Sequence, residues 1–208
     1  MSHRVTSATS RKVGRPGDGK NVREAILAAA LRQLEATGRP DRATVAAIVD
    51  AAGCTPPSLY HYWPTRELLL REASELGWAQ FRAGQSSAVT DHHDPFERLR
   101  LRGRAYLDFA LAKPALFRVL FLESPAASGP GEPPGETGAA FNALVTDVTA
   151  AMATGQLHPA DPFTTALALW SAMHGVAALW AINANLPAEL ARTVGDLAQD
   201  AVLSGLAT

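Results

Sequence analysis

The choice of apolar residues limits this chain to helical folds more strongly than any other feature of its sequence. Of its 208 residues 47% are hydrophobic, and 40 Ala and 25 Leu far outnumber 12 Val and 3 Ile. Ala and Leu are strong helix formers, whereas Val and Ile are enriched in strands. Only 19% of the residues are charged, which excludes a chain that is disordered throughout. We therefore predict an all-α protein of one or two domains.

Residues that favour helix ends recur along the chain and divide it into segments. The side chains expected to cap helices are those of Asn21, Thr44, Thr55, Thr65 and Asp94. Helices are predicted at approximately residues 21–37, 45–52, 56–63, 65–87, 95–112, 114–123, 139–154, 162–185 and 187–206. Four Pro and four Gly in residues 124–138 indicate a mobile loop.

Charge divides the chain into two parts. Residues 1–66 carry ten Lys and Arg against five Asp and Glu, a net charge of +5, whereas residues 67–208 carry a net charge of −6. A basic segment on an acidic remainder is typical of a nucleic-acid-binding domain joined to a domain with another role. Chance clustering of surface charge produces the same asymmetry, so charge alone does not decide between the two interpretations.

Two of the short predicted helices are joined by a tight turn, Ala52-Gly53-Cys54-Thr55. Glycine adopts the left-handed conformation that lets one helix end and the next leave at a steep angle, as in a helix-turn-helix. The runs Leu59-Tyr60-His61-Tyr62-Trp63 and Pro64-Thr65-Arg66-Glu67-Leu68 follow. Together these residues resemble the DNA-binding domain of the TetR family of transcriptional regulators, over residues 21 to about 72. The Gly, Pro and basic residues of 1–20 predict a flexible basic arm. The resemblance implies a helix-turn-helix DNA-binding domain at 21–66 and a helical effector-binding and dimerisation domain at 67–208.

The second helix of a helix-turn-helix enters the major groove of DNA, and flanking side chains contact phosphates. The resemblance assigns this role to the helix after Thr55, with Leu59 and Trp63 packed inward. The residues expected to contact DNA are Thr44, Thr55, Pro56, Pro57, Ser58, Tyr60, His61, Tyr62 and Arg66. Of these, the threonine at 44, the two tyrosines and the arginine are expected at phosphates.

The sequence departs from the family pattern at the start of this helix. Many members have a basic residue and a glycine where Pro56 and Pro57 stand. Readout of guanine by a basic side chain is therefore not expected there. Contacts to bases would depend on Ser58, His61 and apolar packing against thymine methyl groups, with the basic arm as a supplement.

Three shorter patterns have plainer explanations. Residues 14–20 match the spacing of a phosphate-binding loop, but Asn21 stands where Ser or Thr would bind magnesium, and no strand precedes them. The histidines of the Asp91-His92-His93-Asp94 segment are adjacent in a loop and point apart, so a solvated loop is favoured over a metal site. Cys54 is expected to pack rather than to sense oxidants. We predict no metal and no cofactor.

Residues 162–188 contain no Lys, Arg, Asp or Glu. Their length would allow a membrane span, but polar residues interrupt them and acidic residues flank them, so a span is not expected. A helix that is apolar all round must be covered on every side, which favours a face against a second copy of the chain. A face of small residues comprises Ala168, Ser171, Ala172, Gly175 and Ala178, and a stripe on the last helix comprises Leu190, Val194, Leu197, Ala201 and Val202. We predict a homodimer built from these two helices, which also resembles the family.

Trp170, His174 and Gly175 resemble a C-terminal domain type of this family that is named for a Trp, His, Gly signature. The candidate residues for an effector pocket are Trp78, Phe81, Tyr106, Phe109, Phe117, Phe121, Trp170 and His174, any of which could equally be core. An apolar or aromatic effector is expected.

The sequence as a whole is interpreted as a non-enzymatic, homodimeric regulator that binds double-stranded DNA at a palindromic operator. Its two reading helices would lie about 34 Å or more apart. The resemblance implies a repressor that acts by occupying the operator and is released from it by a small-molecule effector. No apolar signal segment is seen at the start and the single Cys cannot form an internal disulfide, so the cytoplasm is the expected compartment. The alternative is a small helical ligand-binding protein or enzyme that does not bind DNA.

Overall fold

The computed structural model describes residues 18–123, 135–183 and 185–208, and over these residues the chain forms nine α-helices and no β-strand. The helices are α1 (Asp18–Thr37), α2 (Val45–Ala52), α3 (Pro56–Tyr62), α4 (Arg66–Ser87), α5 (Pro95–Ala112), α6 (Pro114–Phe117), α7 (Gly135–Ala153), α8 (Pro162–Ile182) and α9 (Ala188–Leu206). A 3-10 turn (Pro40–Arg42) precedes α2, and α6 continues as a π-helical segment (Arg118–Leu122). The prediction of an all-α protein is confirmed.

Three of the predicted caps are present as hydrogen bonds. The side-chain oxygens of Thr44, Thr65 and Asp94 accept from backbone N–H groups of the following turn at 3.3, 3.3 and 3.1 Å. Thr55 occupies the N-cap position of α3 without such a bond. Its hydroxyl lies 3.0 Å from the hydroxyl of Ser58 instead. The predicted capping bond of Thr55 is therefore wrong, because this side chain pairs with a hydroxyl rather than with the backbone.

Three predicted helix ends are also wrong. Helix α1 begins at Asp18, so Asn21 lies inside it and does not cap it, and α7 begins at Gly135 rather than at residue 139. Lengthening an existing helix is inexpensive, because each added residue gains one hydrogen bond. Helix α8 ends at Ile182 rather than at residue 185, where the side-chain amide of Asn183 donates to the carbonyl of Leu179 (3.0 Å). The rest of the predicted arm and loop, residues 1–17 and 124–134, lies outside the described residues.

The helices pack as two bundles that share α4. Helices α1, α2 and α3 enclose the fully buried side chains of Ile26, Leu34 and Ile48. Helix α4 packs against α1 and continues into the second bundle, which it forms with α5, α7, α8 and α9. Helix α6 lies against α1, where Ala115 faces Gly38 and the Lys113 ammonium donates to the Glu35 carboxylate (3.0 Å). The two bundles therefore meet along α4 and at the contact between α1 and α6.

Candidate nucleic-acid interface and effector cavity

The turn between α2 and α3 sets the direction of α3. Gly53 has φ +65° and ψ +35°, a left-handed conformation that only glycine adopts without strain. Its N–H donates to the carbonyl of Asp50 (3.1 Å), and the N–H of Cys54 donates to that of Val49 (3.0 Å). These bonds satisfy the last carbonyls of α2, so α3 can begin three residues after the glycine. The predicted helix-turn-helix is present.

Helix α3 has one buried and one exposed face. Leu59 and Trp63 are 0% and 3% exposed and belong to the core, as predicted. The opposite side carries the exposed side chains of Pro56, Pro57, Tyr60 and His61, with those of Ser58 and Tyr62 half-buried beside them. The His61 and Tyr62 rings meet edge to face, with centroids 4.9 Å apart. The side chains expected to contact bases thus lie on the side of α3 that faces away from the core.

Glu72 holds the end of α3 to α1 and α4. Its Oε2 accepts a hydrogen bond from the indole Nε1 of Trp63 (2.7 Å), and its Oε1 accepts one from Nη2 of Arg23 (2.5 Å). The Arg23 guanidinium carbon also lies 4.9 Å from the centroid of the Trp63 ring. One carboxylate on α4 therefore joins α1 to the residue that ends α3.

Arg66, at the start of α4, binds backbone carbonyls that precede α2. Its Nε donates to the carbonyl of Ala43 (2.9 Å), and its Nη2 donates to that of Pro40. Hydrogen bonds from a charged donor are stronger than neutral ones. Arg66 thereby fixes the segment that ends at Thr44, whose exposed side chain caps α2. A contact between Arg66 and phosphate stays a prediction.

The other patterns noted in the sequence form ordinary local structure. Cys54 is half-buried against the core, and burial raises the pKa of its thiol, which favours the protonated form. His92 and His93 are exposed, and Asp94 accepts from the side-chain amide of Gln156 (2.7 Å) as well as from the backbone. No group of three or more His, Cys, Asp or Glu that could hold a metal ion occurs among the described residues. The phosphate-loop pattern begins in residues outside them and ends inside α1.

The eight residues predicted to surround an effector come together in the second bundle. The ring of Phe81 has its centroid 5.2 to 5.3 Å from those of Tyr106, Phe109 and Phe121. Trp78 and Phe117 each lie 4.6 Å from Phe121 by the same measure. Trp170 and His174 on α8 complete the cluster, at 5.2 and 6.3 Å from Tyr106. Helices α4, α5, α6 and α8 and the π-helical segment thus each contribute rings to one aromatic cluster.

Tyr106 and His174 form a polar pair inside this aromatic cluster. The Tyr106 hydroxyl oxygen lies 2.8 Å from Nδ1 of His174. Burial raises the pKa of Tyr106 well above its ordinary value and lowers the pKa of His174. Both shifts favour the neutral forms, so a protonated phenol and a neutral imidazole share one hydrogen bond whose direction depends on the imidazole tautomer.

A small cavity of about 30 Å³ borders the aromatic cluster. Of the eight predicted residues, Phe81, Tyr106 and Trp170 line it. Pockets for drug-sized ligands have volumes of about 300–1,000 Å³. The cavity therefore admits only molecules of about the size of water.

Sequence reasoning missed the polar wall of the cavity. Arg102 (7% exposed), Gln85 and Gln199 line it. The Nε of Arg102 donates to one oxygen of buried Asp147, and Nε of Arg98 donates to the other at 2.8 Å. A signal was available, because Asp147 is the only Asp, Glu, Lys or Arg between residues 136 and 161. A lone carboxylate in an apolar helix indicates a buried partner.

Helices α8 and α9 expose apolar side chains along one face each. The large ones are Phe163, Leu167, Leu179 and Ile182 on α8 and Leu190 and Leu197 on α9. Leu197 is 70% exposed and Ile182 is 66% exposed. Among the described residues α8 is the one helix long and apolar enough to cross a membrane by length and composition, and its other face packs against α5 and α9. A core helix of a soluble protein meets the same criterion.

Two family models match the chain. Residues 26–73 match the model of bacterial regulatory proteins of the tetR family, which covers the helix-turn-helix. Residues 99–202 match the model of the tetracyclin repressor-like C-terminal domain. The second match alone covers half of the chain.

Individual proteins resemble the chain in sequence or in fold. Over 101 residues the chain is 29% identical to the nucleoid occlusion factor SlmA of Edwardsiella ictaluri, a match that covers 49% of this chain and about half (51%) of that protein. A protein of unknown function from Rhodococcus sp. RHA1 has a TM-score of 0.74 and 26% identity, covering 90% of this chain and 96% of that one. A TetR-family regulator from Pectobacterium atrosepticum has a TM-score of 0.73 and 22% identity, covering 94% and 98%.

Proposed function

The chain belongs to the TetR family of DNA-binding transcriptional regulators, and from this premise we propose that it is a homodimeric repressor that a small-molecule effector releases from a palindromic operator. The observation that carries the proposal is the exposed face of α3, which presents Tyr60 and His61 on a helix anchored from behind by Leu59 and Trp63. Its role is binding rather than catalysis, in the cytoplasm, where the DNA of a bacterial cell lies.

The exposed face of α3 supports a particular way of reading DNA. The helix has no Lys or Arg between Pro56 and Tyr62, so it lacks the bidentate donor that most often selects guanine. Its first turn offers the rings of Pro56 and Pro57, which can pack against thymine methyl groups, and His61 can bond a base edge. The hydroxyls of Tyr60 and Tyr62, with Thr44 at the start of α2, suit phosphates. We expect that contacts to thymine methyl groups contribute more to recognition of each operator half-site than contacts to guanine do.

The exposed apolar face of α8 and α9 supports the dimer. Large exposed side chains recur at helical spacing on α8, at Phe163, Leu167, Leu179 and Ile182. Between them lie two small exposed residues, Ser171 and Gly175. Small residues allow two helices to approach closely, and the large ones then become buried on both sides of a two-fold axis. Two helices from each chain form a four-helix interface, which sets the spacing of the two α3 helices.

The contact between α1 and α6 supports a route from effector to DNA. Phe117 at the end of α6 belongs to the aromatic cluster, while Lys113 and Ala115 near its start touch α1 at Glu35 and Gly38. The π-helical segment that follows α6 carries Phe121, and such segments are frequent at functional sites. A ligand that spreads the aromatic cluster would shift α6 and, through α1 and α4, change the distance between the two α3 helices.

DNA binding is the property to test first. The full-length protein is titrated against labelled DNA from beside its own gene at several salt concentrations, together with Tyr60→Ala and a matched control, Thr90→Ala, which is exposed beyond the end of α4. Loss of one phosphate hydrogen bond in each subunit should weaken binding at least about fivefold. Thr90→Ala should bind like the unmodified protein.

A specific complex that weakens with salt is the expected result. The proposal fails if no specific complex forms at any salt concentration and both Tyr60→Ala and Arg66→Ala behave as the unmodified protein does. That result would favour the alternative, a helical ligand-binding protein or enzyme that does not act on DNA.

A further inference from the structure

The polar wall of the cavity carries an excess of positive charge. Arg98 and Arg102 share the single carboxylate of Asp147, one guanidinium on each oxygen. Arg102 and Asp147 are 7% and 3% exposed, whereas the Arg98 side chain is 30% exposed, so water compensates only part of the difference. Two positive charges and one negative charge leave this group with a formal charge of +1. An anion placed beside the buried guanidinium of Arg102 would compensate the charge that water does not.

The same wall is rich in hydrogen-bond donors. The bonds of Arg102 to Asp147 and to the carbonyl of Gln85 use Nε and Nη1, and Nη2 carries two further N–H groups. The side-chain amide nitrogens of Gln85 and Gln199 each donate one N–H to a backbone carbonyl, at 3.2 and 3.0 Å, and each has a second N–H. A ligand group that faces Arg102 and the two amide nitrogens can therefore accept hydrogen bonds from all three side chains.

Close packing holds the donor of α9 in place. A methyl group at Gly103 would lie 2.0 Å from the amide nitrogen of Gln199 and 2.6 Å from its amide carbon. Only glycine therefore lets α9 bring this buried amide (4% exposed) against α5 beside Arg102. The donors come from α4, α5 and α9, so they converge from three helices on one space.

The opposite wall is apolar. It consists of the rings of Phe81, Tyr106 and Trp170 together with five non-aromatic apolar side chains from α5, α7 and α8, and the centroids of Tyr106 and Trp170 lie 5.2 Å apart. The space between the two walls measures only about 30 Å³. A bound molecule must therefore push the rings apart, which couples its binding to the aromatic cluster and to α6.

We propose that the effector is a small amphipathic carboxylic acid, whose carboxylate binds Arg102 and the amides of Gln85 and Gln199 and whose apolar ring or chain inserts against Phe81, Tyr106 and Trp170. This inference rests on the proposed effector function of the second bundle. It is more specific than the expectation of an apolar or aromatic effector, because it names the negative charge of the ligand and the arginine that binds it.

A matched pair of probes tests the charge directly. Phenylacetate and phenylacetamide have nearly the same shape and differ in charge at one end. Isothermal titration calorimetry on the full-length protein without DNA should give a dissociation constant about tenfold lower for the acid, since charge-assisted hydrogen bonds are about twice as strong as neutral ones. Equal affinities, a preference for the amide, or no binding of either probe at about 10 mM would overturn the proposal.

Two variants separate a ligand-reading role from a structural one. Asp147→Asn removes the competing carboxylate and keeps its shape, so the acid should bind at least about threefold more tightly while the amide is unaffected. Arg102→Met should abolish the preference for the acid. Arg104→Met is the matched control, because Arg104 is exposed on the same helix and lies outside this cavity.

The ratio of acid to amide affinity is the readout, because a merely structural role of Arg102 would not change it. If circular dichroism shows that Arg102→Met does not fold, Asp147→Asn and the unmodified protein still decide the outcome. An Asp147→Asn variant that is folded and binds the acid no more tightly than before would contradict the proposal.

The failure of this proposal is distinct from the failure of the proposed function. If the protein binds its operator but not phenylacetate, the carboxylate proposal is wrong and the regulator stands. If it binds phenylacetate with the predicted preference but binds no operator, the DNA-binding proposal is wrong and the carboxylate site stands.

Discussion

Replacing Glu72 by alanine removes the carboxylate that joins α3 to α1 and α4. The indole N–H of Trp63, a side chain only 3% exposed, then loses its acceptor at 2.7 Å. A buried donor left without a partner costs about 1–3 kcal/mol. Because Glu72 is itself half-buried at the surface, water reaches part of the vacated site, and the lower half of that range applies.

The pair between Glu72 and Arg23 adds less. Both side chains are more than one third exposed, and an ion pair of this kind contributes about 0–1 kcal/mol. The two contributions together lower the free energy of unfolding by about 2 kcal/mol. For a chain of this length the melting temperature falls by about 2–4 °C per kcal/mol, so Glu72→Ala should melt about 4–8 °C lower.

Thermal unfolding followed by far-ultraviolet circular dichroism measures this shift, at one fixed protein concentration because a dimer melts in a concentration-dependent manner. Glu75→Ala, three residues further along α4, is the control and should change the free energy by less than about 0.5 kcal/mol. In a Trp63→Phe background the donor is absent, so Glu72→Ala should cost less than about 1 kcal/mol. The reasoning is refuted if Glu72→Ala costs the same in both backgrounds.

Two further predictions concern the second bundle. Gly103→Ala places a methyl group 2.0 Å from the Gln199 amide nitrogen and should lower the free energy of unfolding by about 1–3 kcal/mol. Gly84→Ala has no atom within 4 Å of its new methyl group and should raise the free energy of unfolding by about 0.5–1 kcal/mol. Chemical denaturation compares the two variants, and equal effects would contradict the packing described for Gly103. Burial lowers the pKa of His174, so the stability that this residue contributes is present above its unfolded pKa of about 6.5 and is lost as the pH falls through the folded pKa. His174→Gln should therefore lose less stability than the unmodified protein between about pH 7.5 and pH 5.5, as denaturation midpoints will show, and identical losses would contradict this assignment.

Local signals predicted most of the fold. The preference for Ala and Leu over Val and Ile set the class, and capping residues at Thr44, Thr65 and Asp94 marked three helix starts that the structure confirms with hydrogen bonds. Both depend on the chemistry of neighbouring residues, which a sequence contains in full. The predicted starts of α1 and α7 were wrong because they assume helix breaks at the nearby glycines. A glycine near a helix end does not by itself decide where the helix begins.

The helix-turn-helix was predictable for a related reason. Its turn, its inward pair Leu59 and Trp63 and its exposed tyrosine all lie within residues 52–63. The bond from Glu72 to Arg23, which helps to hold α3 against α1, was not predictable because these residues are 49 positions apart in the chain. Contacts over such separations depend on how helices pack, which periodicity alone does not specify.

The cavity of the second bundle shows the same contrast between local signals and long-range contacts. The aromatic residues were chosen by type and spacing, and all eight came together. The polar wall was missed because Arg102 and Asp147 are 45 residues apart, and the lone carboxylate of Asp147 indicates a buried partner without identifying it. Only the packing of α5 against α7 makes them a buried pair.

The central claim is that α3 binds DNA and that α8 and α9 form the dimer interface. The number of chains bound to one operator tests this claim most directly. Light scattering should give two chains, or a multiple of two, on each palindromic operator. A Leu197→Glu variant that keeps its helical content should be monomeric and should bind the operator much more weakly, because it places a charge at the exposed apolar face. A single chain bound with full affinity, or a Leu197→Glu variant that remains dimeric and binds unchanged, would contradict the account.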